Sequence, residues 1–418
     1  MPRAPFWPIG ARVASLRAMI RSMNLGHPDI RVIGTVASAH GLSHFFQLVL
    51  PPLFPAMKDE FGVGYAELGA MMGVFFAVSG VAQFAAGYAV DRIGAQRVLV
   101  AGMSLLAGAT LLVGFAPGYW ALIPLAAVAG LGNAVFHPAD FAVLNARVDP
   151  SRLGRAYGAH GLAGNIGWVL APIVGVALSK LFGWREAVVI MGTAGLAAAV
   201  LFHANREWIS VRVADGTRKR SDSGAATPLL SRPVLMCFGY FALLSTALVG
   251  LQSFSVPATM AMFGLDDTRA AQSLTLFLVG SSAGIVIGAI LADRTARHHH
   301  VAATGLICAA ALIALATLQP VPAAYGLPVF MALAGLCVGA TGPSRDSIVR
   351  RATPKGASGR VYGFVYSGLD LGSIVAPGVF GLFVDMQRPV LVYVVVIVGL
   401  LLAVGTVIAI REETLRAS

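Results

Sequence analysis

The chain has 418 residues, of which 57% are hydrophobic and only 12% charged, with a mean hydropathy of +0.78. Soluble domains carry about 25% charged residues, so these values exclude an ordinary water-soluble globule and indicate a membrane protein. The net charge of +11 would point to nucleic acid in a soluble protein; in a membrane chain it follows from basic loops on one side of the bilayer, and no nucleic-acid partner is expected.

In chain order, residues 1–31 form a basic N-terminal segment. Val13, Leu16, Met19, Ile20 and Met23 recur there at helical spacing among Arg12, Arg17 and Arg21, which suggests a helix lying on the cytoplasmic membrane surface. The segment lacks the continuous apolar run of a signal peptide. From residue 32 onward, stretches long enough to cross a bilayer fall near 32–56, 66–90, 97–116, 120–146, 156–181 and 186–203. A second set follows near 233–262, 270–292, 301–319, 324–349, 360–383 and 389–410. The polar segment 204–231 separates them. The predicted organisation is therefore an all-α membrane protein of twelve transmembrane helices. A six-helix bundle over 32–203 and a second over 232–410 flank a cytoplasmic linker, and residues 411–418 form a cytoplasmic tail.

With both termini in the cytoplasm, all but six of the 30 Lys and Arg fall on the cytoplasmic side. Lys58, Lys180, Arg185, Arg269 and Arg388 face outward, and Arg345 lies inside a helix. That bias predicts the orientation.

The halves are copies. At an offset of 205, Gly130, Pro138, Gly154, Arg155, Tyr157, Gly167 and Pro172 meet Gly335, Pro343, Gly359, Arg360, Tyr362, Gly372 and Pro377. At an offset of 202, Pro55, Gly62, Asp91 and Arg92 meet Pro257, Gly264, Asp293 and Arg294. Parallel six-helix repeats are the arrangement of one large class of secondary transporters.

Between the second and third spans stands GYAVDRIGAQR, residues 87–97. Gly87 permits close helix approach, Gly94 a tight turn, and Asp91 a cap or a cationic partner. With its weaker echo AILADRTAR at 289–297, this stretch resembles the signature loop of the major facilitator superfamily. The resemblance covers roughly residues 32–410. It implies rocker-switch alternating access about a central site, with Gly87, Asp91, Arg92, Gly94, Asp293 and Arg294 latching the cytoplasmic side. A cap-and-turn role for Asp91 explains the same residues. The fifth span, from Gly158 through Gly167 to Ala171-Pro172, resembles the superfamily's antiporter motif but departs from it at Ala171 and Val176. The eleventh span has nearly the same design, so helix packing accounts for much of the pattern. Phe136-His137-Pro138 resembles the fosmidomycin-resistance-like branch, which implies export of a small anionic antibiotic.

Polar residues inside the spans are the candidate site. His40, His44 and Gln47 lie at i, i+4, i+7 on the first helix; Asn133, His137 and Asp140 repeat that spacing on the fourth. Counting about 1.5 Å per residue from the cytoplasmic ends places His44, His137, Asn165 and Asp370 near mid-membrane, with His160, Arg345 and Asp346 shallower. Ionisable groups at such depth are functional candidates, although a lone membrane histidine also serves as a hydrogen bond between helices. Substrate binding is assigned to His44, His137, Arg345, Asn165 and Gln47, and proton coupling to Asp370, Asp140 and His137. Arg345 and Asp346 could equally form an ion pair with Asp140 or with each other.

No cofactor or metal is expected. Cys237, Cys308 and Cys337 lie far apart in apolar runs, without metal-ligand spacing. Gly161, Gly164 and Gly167 follow no strand and have no acidic partner for a nucleotide, and no phosphate-binding G-x-x-x-x-G-K-[ST] occurs. An enzyme is not expected, for want of a nucleophile–base pair. The reading is a proton-coupled, rocker-switch transporter of a small organic anion, a monomer in a bacterial inner membrane, whose partners are its solute, protons and lipid. The alternatives are a proton-driven drug or antibiotic efflux antiporter and, from another class, a non-transporting membrane sensor.

Overall fold

A computed structural model describes residues 28–211, 231–295, 297–318, 322–352 and 358–417. The surface helix expected within 11–23 and most of the linker 204–231 lie outside the described residues. The regular elements are all helical. The first half comprises α1 (Pro28–Leu48), α2 (Phe54–Phe61), α3 (Tyr65–Ile93), α4 (Ala95–Val113), α5 (Tyr119–Asn133), α6 (Phe136–Arg147), α7 (Leu153–Phe182) and α8 (Trp184–Ala204). The short α9 (Arg206–Ile209) precedes the second half: α10 (Arg232–Phe263), α11 (Asp267–Arg294), α12 (His298–Leu318), α13 (Ala323–Ala352), α14 (Ser358–Asp385) and α15 (Val390–Ala417).

Among the described residues, eleven spans are long and apolar enough to cross a bilayer, α5 and α6 counting as one. The twelfth membrane helix is α1, whose composition is diluted by Asp29, Arg31, His40, His44 and Gln47. The outer faces suit lipid. Val81, Leu181 and Leu318 are more than 70% exposed, surfaces that water would not tolerate at this density.

Local chemistry explains the helix ends and breaks. Pro51 and Pro52 follow α1 and open a single 3₁₀ turn, because neither has the N–H that would continue the i→i−4 ladder. Gly62 and Gly264 each end a helix at φ 62°, a left-handed turn repeated at the offset of 202. Gly94 lies at φ 91° between α3 and α4, the turn that its position in the signature loop requires. Pro138 cannot donate to Ala134, and the fourth span breaks there into α5 and α6.

Each half packs on its own small-residue seams. In the first, Gly41 approaches the Ala163 carbonyl while Gly167 lies against the Gly41 carbonyl, so α7 is pressed onto α1. In the second, Gly368 and Gly372 approach the Phe238 and Ala242 carbonyls of α10. The small face of the antiporter-like stretch is thus occupied by α1. Between α11 and α13 the glycines interlock: Gly280, Gly284 and Gly288 face the carbonyls of Ala332, Leu336 and Ala340, while Gly335 and Gly339 face those of Phe277 and Ser281. Such contacts replace the hydrophobic drive that lipid removes.

The two halves meet along α3–α14 and α7–α11. At the Tyr65 end of this seam, Asp385 accepts from the backbone N–H groups of Tyr65 (2.8 Å) and Ala66 (2.7 Å). A carboxylate from one bundle thereby caps the positive N-terminus of α3 in the other. Lys180 pairs with Asp267 at 3.0 Å between α7 and α11. Nearby, Glu60 accepts from Trp184 Nε1 and Arg185 Nε, and the Arg185 guanidinium holds its carboxyl below the usual range. Losing the cap by Asp385→Ala should cost about 1 kcal/mol of closure at this end, shifting the population between the two states by roughly fivefold. Spin-label distances across Tyr65 and Asp385 check this; an unchanged distribution would remove the latch role.

Candidate functional site

Four imidazoles and one carboxylate converge inside the first bundle. His40 and His44 stand one turn apart on α1, His137 and Asp140 on α6, and His160 on α7. The proline break is what lets His137 and Asp140 turn inward together, since α6 restarts at Phe136. Asp140 is fully buried, with His160 Nε2 3.1 Å and His40 Nδ1 3.3 Å from its Oδ2. Its Oδ1, His40 Nδ1 and His44 Nδ1 are buried without a hydrogen-bond partner in satisfactory geometry. The His40 and His160 rings stack at 3.5 Å, and His44 lies 4.3 Å from the Trp168 ring. Gly164 leaves the room for this. A Cβ there would lie 2.9 Å from His44 Nδ1 and 3.0 Å from His40 Nε2.

Burial decreases in order across the cluster. His40 and His160 are buried, His44 is half-buried, and His137 is exposed beside Phe141 and Tyr157. The imidazoles therefore run from an exposed ring at His137 to a buried carboxylate. One turn further along α1, a polar bridge crosses four helices. Trp168 Nε1 donates to Gln47 Oε1 (3.3 Å), Gln47 Nε2 to Asn133 Oδ1 (3.1 Å), and Asn133 Nδ2 to Ser79 Oγ (2.9 Å). Such a bridge satisfies amides that a bilayer interior would otherwise leave unpaired.

The remaining predicted residues are placed apart from this cluster. Asn165 donates back to the Gly161 carbonyl of its own helix at 3.0 Å. Asp370 is half-buried on α14 and crosses the seam to α3, where a Cβ on Gly80 would lie 3.4 Å from its Cγ. Arg345 does not meet Asp140. Its Nε donates to Asp346 Oδ1 at 2.9 Å and its guanidinium lies 4.9 Å from the Phe241 ring centre. It lines a small pocket inside the second bundle with Cys237, Tyr240 and Val407. Asp91, Arg92 and Arg294 are exposed. Nothing lies within 4 Å of a Cβ on Gly87, so the close approach expected there is absent. The side chain of Asp293 lies outside the described residues. Sequence reading did not foresee Trp168, Ser79 or Gly164 as parts of the site; Gly164 and Trp168 lie on the α7 face that carries His160, one and two turns along.

Twelve helices in two repeated bundles, with a polar cluster inside the first of them, are matched by comparison with known proteins. The family model described as Major Facilitator Superfamily matches residues 36–272 and 236–417. The chain belongs to that superfamily. It is 26% identical over 283 residues to the fosmidomycin resistance protein of Escherichia coli, covering 64% of this chain and 66% of that one. To the probable L-galactonate transporter of Escherichia coli it is 26% identical over 158 residues, covering 37% of this chain and 35% of the relative. Among solved structures, the nucleoside transporter NupG (D323A mutant) superposes with a TM-score of 0.74 at 14% identity, over 92% of this chain and 100% of that one. A bacterial homologue of the human lysosomal transporter Spinster, inward-facing and unoccupied, gives 0.69 at 17% identity, over 92% and 95%. These likenesses show the fold and a multi-pass membrane transporter, and they indicate no enzyme family.

Proposed function

We propose that this transporter moves a small organic anion across a bacterial inner membrane, coupled to protons, by rocking its two bundles about the histidine cluster. The observation that carries the reading is the graded cluster itself. In an otherwise apolar bundle, the exposed His137 and half-buried His44 present ring nitrogens as hydrogen-bonding groups for a solute. Asp370, across the seam, supplies a carboxyl that a proton neutralises. The Arg-rich loops place the Asp91–Arg97 end in the cytoplasm. With that orientation, Asp385 and Lys180 close the outer side. Among the described residues the loop at Asp91 and Arg92 makes no latching contact at the inner one, and the linker and both termini are cytoplasmic. The acid named for the galactonate relative favours an anion. Arg345 is engaged with Asp346 and Phe241, so the anion-binding role rests on the histidines.

A second reading, export of an antibiotic, is favoured by the name of the fosmidomycin-resistance relative. Thermal-shift screening of the purified protein against organic acids and antibiotics separates the two. A binder at 100 times its Kd stabilises the fold by about 2.7 kcal/mol. Stabilisation by carboxylates or phosphonates, lost in His137→Gln, is the expected result. Stabilisation by cationic drugs alone would overturn the anion assignment.

A further inference from the structure

We propose that His40, His44 and His137 form a binding site for a divalent transition-metal ion, of the zinc, nickel or cobalt class, with one coordination position open on the side of the exposed His137. Ring nitrogens of these three residues lie within 4.8 Å of one another. Their ring centres are separated by 4.3, 5.2 and 6.4 Å, with planes inclined at 52°, 64° and 72°. Three imidazoles at a tetrahedral metal, bonded at about 2.0–2.1 Å, have centres about 5.2 Å apart and planes well off parallel. One observed separation matches that arrangement, and the His40–His44 and His44–His137 pairs must open and close by about 1 Å, so side-chain shifts as well as ring rotations bring the three onto one ion.

Other features fit the same ion. Among the described residues, His44 Nδ1 is buried with no hydrogen-bond partner in satisfactory geometry, and His40 Nε2 turns with it toward the bare Gly164 position. Behind His40, its other nitrogen is 3.3 Å from the buried Asp140 carboxylate. A ring turn that brought this nitrogen into donating geometry would complete the carboxylate–histidine–metal arrangement, in which the second acceptor orients the ligand ring and raises its basicity. Neutral imidazoles suit this class of metal, whereas magnesium and calcium require oxygen donors. A second group, His40, Asp140 and His160, also brings its donors together. However, the stacked rings of His40 and His160, inclined by only 19°, would hold an ion out of both ring planes. Asp140 and His160 are therefore positioning residues here. With three protein ligands, the open position faces the exposed His137 edge, where water or an anion completes the shell. The inference concerns binding alone and stands whatever solute is carried.

The test is metal binding to the purified, tag-free full chain in detergent, by calorimetry with zinc and by visible absorption with cobalt. One ion per chain is expected, with the intense bands of tetrahedral cobalt and no response to magnesium. His44→Gln and His137→Gln, the latter at an exposed position, should each weaken binding more than tenfold while melting as the parent does. Asp140→Asn should weaken it about 10–100-fold with the stoichiometry unchanged. Absence of binding, an octahedral cobalt spectrum, or binding that survives both glutamine variants and disappears in His299→Ala/His300→Ala would each overturn the proposal.

Discussion

Gly335→Val and, separately, Gly130→Val should each prevent stable assembly of one bundle while leaving the sequence of the other intact. The repeat places these glycines at equivalent points. Gly130 of α5 faces the Phe75 carbonyl of α3, and Gly335 of α13 faces the Phe277 carbonyl of α11. A Cβ at either point would overlap that oxygen and the carbonyl carbon behind it, all helix backbone that cannot swing aside. The helices would have to separate, breaking contacts on both sides of the seam; for Gly335 these include the neighbouring pairs made by Gly280, Gly284 and Gly339. Overpacking typically costs about 1–3 kcal/mol, and a backbone clash in a lipid-exposed bundle lies at or above the top of that range. Yield of monodisperse protein and its melting temperature measure the effect. Gly87→Val is the control, because nothing lies within 4 Å of a Cβ there. Equal loss in that control would mean that helix propensity, rather than the seam, sets the sensitivity.

Asp370→Asn should abolish transport driven by a pH gradient, by tenfold or more, while leaving solute binding and solute exchange in place. Asp370 projects from α14 onto Gly80 of α3, at the seam that must slide when the bundles rock. No hydrogen bond or ion pair reaches it among the described residues. An unpaired carboxylate in such a place hinders closure, and a proton removes the hindrance. Asparagine mimics the protonated form permanently, so the bundles exchange freely but carry no proton. Gradient-driven uptake and isotope exchange, measured in the same proteoliposomes, separate the two effects. Retention of gradient dependence would move the coupling away from α14.

The architecture was legible in the sequence because a bilayer enforces it. Apolar runs, the arginine bias and the two repeat offsets follow from lipid contact and gene-level duplication, and none depends on side-chain detail. The spacing of His40, His44, Asn133, His137 and Asp140 also showed that single helix faces carry the polar groups. What the pattern left open was which faces meet. Arg345 stands 205 residues after Asp140, at the repeat offset, and an ion pair between them was one of the two arrangements the sequence allowed. Yet Arg345 lies by Phe241 and Asp346 in its own bundle, and Asp140 is enclosed by two histidines. Helix azimuth decides that, and a few degrees of rotation or the Pro138 break changes it. The glycine interlock of α11 with α13 escaped notice for a related reason. Glycines four apart are frequent in membrane helices, and only the partner's register distinguishes a seam from a lipid face. Gly87 illustrates the opposite case, a motif glycine that meets nothing in this conformation.

Simultaneous recording of proton and solute flux in proteoliposomes tests the central proposal most directly. The protein is reconstituted with a pH-sensitive dye inside, and an anion found by thermal shift is added outside. The account predicts anion-dependent proton movement in fixed proportion to solute, absent in Asp370→Asn and strongly reduced in His137→Gln. Solute movement of the same rate with no accompanying proton flux would contradict it.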